Sequence, residues 1–291
     1  MSAGTEAHAT GPRSTDPHST DSRGTDPRST DPRGGSRAEL GTTGLLETLR
    51  DGLIVSCQAY PGEPMRDPRT MAQIARAAVV GGAAGVRLQG LDDIRAASDV
   101  GVPVVGLWKD GDDDVFITPT LAHARAVAEA GAHIVAIDGT RRTRPDGRTL
   151  AETIAELKAA HDVLVMADCG SLDDALAAEA AGADLLGTTL SGYTGERPKT
   201  AGPDIDLIAA VVAACTRPVV AEGRIHTPAD ARRAKHAGAF AVCVGTAITH
   251  PSTLTSWFVQ ALGAPAGGTP ARDTSVRDVS ERDVSAREKK N

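Results

Sequence analysis

A chain of 291 residues with 41% hydrophobic side chains can hold one large domain or two small ones. Only 2% of the residues are aromatic, so the core must be built from Ala, Val, Ile and Leu. A formal net charge of -7, with no basic patches interleaved with aromatics, argues against nucleic acid, and no apolar run approaches the ~18 residues that span a membrane.

From Gly11 to Gly35 the chain repeats a five-residue unit, as in Arg13-Ser14-Thr15-Asp16-Pro17 and Arg28-Ser29-Thr30-Asp31-Pro32. A related rhythm closes the chain at Arg272-Asp273, Arg277-Asp278 and Arg282-Asp283. Neither segment has an apolar stripe that would offset the entropy of ordering it. Residues 1–44 and 263–291 therefore read as disordered tails. Every aromatic residue lies between them, and 45–262 reads as a single folded domain.

Within that domain a small-residue phrase recurs: Gly82-Ala83-Ala84-Gly85-Val86, Ala130-Gly131-Ala132-His133-Ile134, Ala181-Gly182-Ala183-Asp184-Leu185 and Ala237-Gly238-Ala239-Phe240-Ala241. Each follows an amphipathic helical pattern and opens an apolar run. The glycine suits a helix C-cap, and the run suits a strand buried on both faces. The phrase returns about every 50 residues, room for two strand–helix units each time. Strands are expected near 52–57, 84–88, 103–108, 133–138, 162–167, 184–188, 218–222 and 240–245. Helix starts are signalled at Pro68, Pro119, Thr149, Ser171, Asp204, Thr227-Pro228 and Pro251. Eight such units in roughly 220 residues predict an α/β fold, a closed (β/α)8 TIM barrel. An open doubly wound sheet is the competing architecture, and the near-equal spacing favours closure.

In such a barrel the carboxyl ends of the strands share one rim. Here that rim carries Ser56, Gln58, Arg87, Lys109, Asp138, Asp168, Thr188, Thr189, Glu222, Gly245 and Thr246. Buried charges are costly unless paired or functional, and Asp168 is the first candidate for a purely structural ion pair. Glu222-Gly223-Arg224 after strand seven and Gly245-Thr246-Ala247-Ile248 after strand eight suit a phosphate, which backbone N–H groups and Arg224 would hold. The four cysteines have no zinc or Cys-x-x-Cys spacing and sit in apolar surroundings, which predicts a reducing, cytoplasmic setting. His133, His123, His161 and His236 read as packed or solvated side chains, and Asp112 to Asp114 as a solvated loop rather than a metal site.

Several motifs resemble the N-acetylmannosamine-6-phosphate 2-epimerase family. They are Gly52-Leu53-Ile54-Val55-Ser56-Cys57-Gln58, Lys109-Asp110, Ile137-Asp138-Gly139-Thr140 with Arg144-Pro145, Met166-Ala167-Asp168, Gly187-Thr188-Thr189-Leu190-Ser191-Gly192-Tyr193-Thr194, Ala221-Glu222-Gly223-Arg224 and Gly245-Thr246-Ala247-Ile248-Thr249. The match runs through the whole core in order and covers neither tail. It implies a barrel enzyme of sialic acid breakdown that acts on an amino sugar phosphate without a metal or other cofactor, and a homodimer. Lys109 and Glu222 stand at the family's catalytic positions. The resemblance also assigns Gln58, Arg87 and Asp138 to the sugar, with Arg144 in the family's Arg-Pro context. His250 stands where the family usually has arginine.

Inverting C2 requires removing a proton beside a carbonyl, with donors aimed at the developing enolate. Lys109 is expected to move that proton with Asp138 holding it in place, while Glu222 serves as partner acid or base. Ser56, Gln58, Arg87, Arg144 and Thr188 are expected to bind the sugar, and Gly223, Arg224, Gly245 and Thr246 the phosphate. Two rival readings remain: a Schiff-base lyase working through Lys109, and a non-catalytic sugar-phosphate sensor.

Overall fold

A computed structural model describes residues 41–263. The expected tails fall almost wholly outside the described residues. The eight strands are β1 (Leu53–Cys57), β2 (Gly85–Gln89), β3 (Val104–Leu107), β4 (Ile134–Asp138), β5 (Leu164–Asp168), β6 (Leu185–Gly187), β7 (Val219–Glu222) and β8 (Ala241–Val244). Each pairs in parallel with the next, and β8 pairs back onto β1, so the sheet is a closed barrel. Each strand begins and ends within two residues of its expected bounds.

The helices are α1 (Thr42–Leu49), α2 (Pro68–Val80), α3 (Leu91–Ala96), α4 (Leu121–Ala130), α5 (Leu150–Ala160), α6 (Leu172–Ala180), α7 (Ile205–Ala214), α8 (Pro228–His236), α9 (Thr246–Thr249) and α10 (Pro251–Ala261). Their starts follow side-chain chemistry. Asp67, Thr120, Thr149, Ser171, Asp204 and Thr227 each accept a backbone N–H of the first turn, and Thr149–Glu152 and Thr227–Asp230 do so reciprocally. The recurring phrase ends helices as expected: Gly82, Gly131, Gly182 and Gly238 have φ of 93°, 115°, 96° and 97°, left-handed values that suit glycine. Two helix starts carry no signal in the sequence. The first, α3, starts at Gly90 with no capping side chain. The other, α1, begins at Thr42, inside the expected tail.

The core has two layers. Ile54, Val105, Ile134, Leu164, Met166, Leu185 and Val220 fill the barrel interior, and Leu45 and Leu49 of α1 join them. Between sheet and helices lie Val86, Leu88, Val135, Val165 and Leu186 with many alanines. Small residues let helices approach closely. A Cβ on Gly106 in β3 would lie 2.7 Å from Ala132, 2.9 Å from Ile94 and 2.9 Å from Val127. Among the described residues, no helix is long and apolar enough to cross a membrane.

Candidate active site

At the carboxyl end of β3 the chain folds back on itself. Lys109 makes an antiparallel bridge with Ile117, the Asp110 N–H donates to Phe116 O at 3.0 Å, and the Thr118 N–H donates to Trp108 O at 2.8 Å. Asp112, Asp113 and Asp114 fall in the turn of this hairpin. Thr118 ties it to the barrel: its hydroxyl accepts the Trp108 N–H at 3.1 Å and donates to Ala136 O of β4 at 2.7 Å. The amine of Lys109 donates to Gln58 Oε1 at 2.9 Å and lies 5.0 Å from the centre of the Tyr60 ring. Gln58 in turn donates to Ser56 Oγ at 2.8 Å. The lysine is thus held on two sides at the pocket mouth.

Opposite it lies a buried charge cluster. Arg87 of β2 spans the barrel interior to Asp168 of β5, with Nη2 at 2.6 Å from Oδ2 and Nη1 at 3.2 Å from Oδ1. Thr189 donates a further 2.8 Å bond to Asp168 Oδ1. The same guanidinium stands 3.3 Å from Glu222 Oε2. That oxygen is buried and accepts no hydrogen bond of good geometry, so it is a polar atom with capacity left for a ligand. Burial pushes the Glu222 carboxyl up, and neighbouring Asp168 adds to this, while Arg87 and Lys109 pull it down; the net direction is upward. Burial opposes the charge on Arg87, yet Asp168 and Glu222 hold it firmly protonated. Asp168 therefore has the ion pair expected of it, but in contact with the site's chemistry rather than apart from it.

One pocket gathers Ser56, Gln58, Arg87, Lys109, Glu222, Gly223, Arg224, Gly245 and Thr246, nine of the residues singled out from sequence. Three others lie outside that lining. The Asp138 carboxylate is occupied by the hydroxyl and N–H of Thr140, at 2.6 and 3.0 Å, and by Arg142 at 2.8 Å. The Lys109 amine, for its part, donates to Gln58. Arg144 donates instead to the backbone oxygens of Asp138 at 2.9 Å and Thr118 at 2.8 Å, which braces the Lys109 hairpin. Thr188 Oγ1 accepts the Glu222 N–H at 3.1 Å and donates to Glu222 O at 2.9 Å, so its hydroxyl is engaged in holding the end of β7.

Arg224 differs from expectation in a subtler way. Its backbone lies at φ 54°, and its guanidinium donates to Ser191 O at 2.7 Å, Gly202 O at 3.1 Å and Thr200 Oγ1 at 3.1 Å. The side chain pins the loop after β6 beside the pocket. Sequence reasoning also missed Tyr60, Cys243 and His226 as lining residues. For Cys243 a signal existed, because β8 places it in register with Glu222. Burial, and then the Glu222 charge, raise its thiol well above the ordinary range.

An amine and a carboxyl line one pocket beside two glycine loops at the carboxyl end of a (β/α)8 barrel, the place where enzymes of this fold keep their active sites. The comparisons make this specific. A family described as "Putative N-acetylmannosamine-6-phosphate epimerase" matches residues 71–264. A protein of Cutibacterium acnes, named "Putative N-acetylmannosamine-6-phosphate 2-epimerase", is 62% identical over 224 residues, covering 76% of this chain and 98% of the relative. A protein of the same name from Caldanaerobacter subterraneus is 45% identical over 219 residues, covering 74% and 92%. The solved N-acetylmannosamine-6-phosphate 2-epimerase from Clostridium perfringens superposes with a TM-score of 0.72 at 36% identity, covering 74% of this chain and 95% of that one. The chain belongs to the N-acetylmannosamine-6-phosphate epimerase family and is a carbohydrate epimerase of the isomerase class.

Proposed function

We propose that the enzyme interconverts N-acetylmannosamine 6-phosphate and N-acetylglucosamine 6-phosphate, in sialic acid and amino sugar breakdown. The observation that carries this reading is the meeting of Lys109 and Glu222 in one pocket lined also by Gly223, Gly245 and Thr246. The sugar ring first opens, exposing an aldehyde at C1. A neutral Lys109 amine then takes the C2 proton, the C2–H electrons form the C1–C2 double bond, and the carbonyl electrons move onto O1. Return of a proton to the opposite face of C2 restores the aldehyde with inverted configuration. Glu222, whose carboxyl is pushed up by burial, suits the partner role as acid. Arg87 and Gln58 offer donors to hydroxyl or N-acetyl oxygens, and the backbone N–H groups of the two glycine loops offer donors to phosphate. The phosphate anchors the substrate away from the reacting carbon, supplying binding energy that fixes geometry.

The test is proton NMR of N-acetylmannosamine 6-phosphate in heavy water with the full chain. Loss of the C2 proton signal together with appearance of the glucosamine isomer is expected. Lys109→Ala and Glu222→Gln should abolish both, and retained exchange in both variants would overturn the assignment. A covalent adduct trapped by borohydride would instead favour the Schiff-base lyase.

The same reading takes the enzyme to be a cytoplasmic homodimer. Its four cysteines are free thiols, which fits a reducing compartment. No residue of α10 is buried, and Phe258 is 73% exposed, as suits a subunit contact. Sedimentation showing only monomer at micromolar concentration would remove the dimer.

A further inference from the structure

Trp108, Lys109 and Asp110 lie along the outgoing arm of the hairpin after β3, and successive side chains of an extended arm point to opposite sides. Lys109 lines the pocket, while Trp108 packs with the residues between sheet and helices. There it meets His123, in the first turn of α4. The imidazole leans on Trp108, with ring centroids 4.5 Å apart and planes inclined at 58°, and its Nε2 lies 3.1 Å from Asp110 Oδ2. One side chain of α4 thus touches both chain neighbours of Lys109. It is largely withdrawn from solvent, with 16% of the side chain exposed.

The ring is itself fixed. Thr120, the N-cap of α4, accepts the His123 backbone N–H at 3.4 Å, and its hydroxyl oxygen lies 2.6 Å from Nδ1. A ring with its proton on Nε2 satisfies both ends, accepting the Thr120 hydroxyl at Nδ1 and donating to Asp110. A ring protonated on both nitrogens still donates to Asp110, so the contact does not depend on charge state. Helix α4 is a firm base, because Leu121, Ala124, Val127 and Ala128 are buried and the Leu121 N–H donates to Asp146 Oδ2 at 3.0 Å. Thr118 and Arg144 tie the returning arm of the hairpin to β4. His123 ties the outgoing arm, the one that carries the lysine, to α4. A reacting group works only within a narrow window of position, which its neighbours must enforce.

We infer that His123 is a positioning residue for the proton transfer at C2, holding Trp108 and Asp110 against α4 so that the amine between them stays in the pocket. It acts through the arm and is not among the residues that line the pocket. This rests on the reading that Lys109 moves the C2 proton.

The experiment is C2 hydrogen exchange of N-acetylmannosamine 6-phosphate in heavy water, followed by proton NMR with the full chain, with kcat and KM taken separately. His123→Ala should lower kcat roughly tenfold or more with KM within about twofold, since misplacing a reacting group by about 1 Å can cost ~10²-fold. His123→Gln, whose amide can donate from the place of Nε2, should recover most of the loss. Backbone hydrogen exchange in His123→Ala should quicken at the hairpin amides of Asp110 and Thr118 and stay unchanged in the barrel strands. An unchanged kcat in folded His123→Ala, a KM rise as large as the kcat fall, or a His123→Gln as slow as His123→Ala would overturn the inference. Should His123→Ala fail to fold, Asp110→Ala takes its place, because the Asp110 side chain is exposed; kcat at the unaltered value there would overturn it. Exchange retained in Lys109→Ala would remove the reading of Lys109 and this inference together, whereas exchange lost in Lys109→Ala beside an unaltered kcat in His123→Ala would remove this inference alone.

Discussion

Arg87 and Asp168 meet across the barrel interior in a two-pronged ion pair, at 2.6 and 3.2 Å, with both side chains sealed from solvent. Glu222 leans on the same guanidinium at 3.3 Å, so a single cation serves two buried carboxylates. Removing one partner of such a cluster leaves charges that nothing offsets.

Arg87→Met should therefore destabilise the fold by about 3–5 kcal/mol in urea unfolding, as well as abolish turnover. Arg87→Lys keeps the charge without the fork geometry, and its stability should fall between the two. The double variant Arg87→Met with Asp168→Leu should regain much of the lost stability and none of the activity.

Lys109→Ala should behave differently. The amine is half-buried and bonds to Gln58 at 2.9 Å, so thermal unfolding should shift by no more than a few degrees. Exchange of the C2 hydrogen should drop by at least ~10²-fold, the usual worth of one proton-transfer group.

Arg144 separates a sugar contact from a brace. It donates to two backbone oxygens, one of them in the hairpin that carries Lys109. Arg144→Ala should cost roughly 2–4 kcal/mol from two carbonyls left unmet. Steady-state kinetics should show kcat falling more than KM rises; a selective rise in KM would mean that the arginine touches substrate after all.

Asp93, in the first turn of α3, supplies a pH signature. Burial pushes its carboxyl up to about 6 from the ordinary 3.8, with Asp92 and Asp67 adding to the shift and Arg66 opposing it. Between those two values the folded chain binds more protons than the unfolded chain, so this group's contribution to stability falls as pH rises through the window. Asp93→Asn should raise the unfolding temperature by a few degrees at pH 7.5, and the gain should vanish below pH 4. An equal gain at both pH values would discard this explanation.

The barrel was legible because its chemistry is local and repeated. Four Ala/Gly phrases end helices at left-handed glycines, and Asp67, Thr149, Ser171 and Thr227 cap helix starts through their own side chains. The start of α3 lacks that local mark, since Gly90 offers no capping oxygen. In the site, strand-end position alone brought Lys109, Arg87 and Glu222 to one mouth. It could not assign hydrogen-bond partners. Asp138 and Arg144 also stand near a strand end, yet their bonds go to Thr140, Arg142 and backbone oxygens. Tyr60, Glu63 and His250 meet only because two loops distant in sequence come together, which no periodicity records.

The plugged interior has a kinetic corollary. With Leu45 and Leu49 of α1 packed onto Ile54, Val105, Ile134, Leu164, Leu185 and Val220, the described residues close the barrel beneath the charge cluster. A reacted molecule must back out along the path by which its precursor arrived. The two compete for one berth, and accumulating product throttles the forward rate.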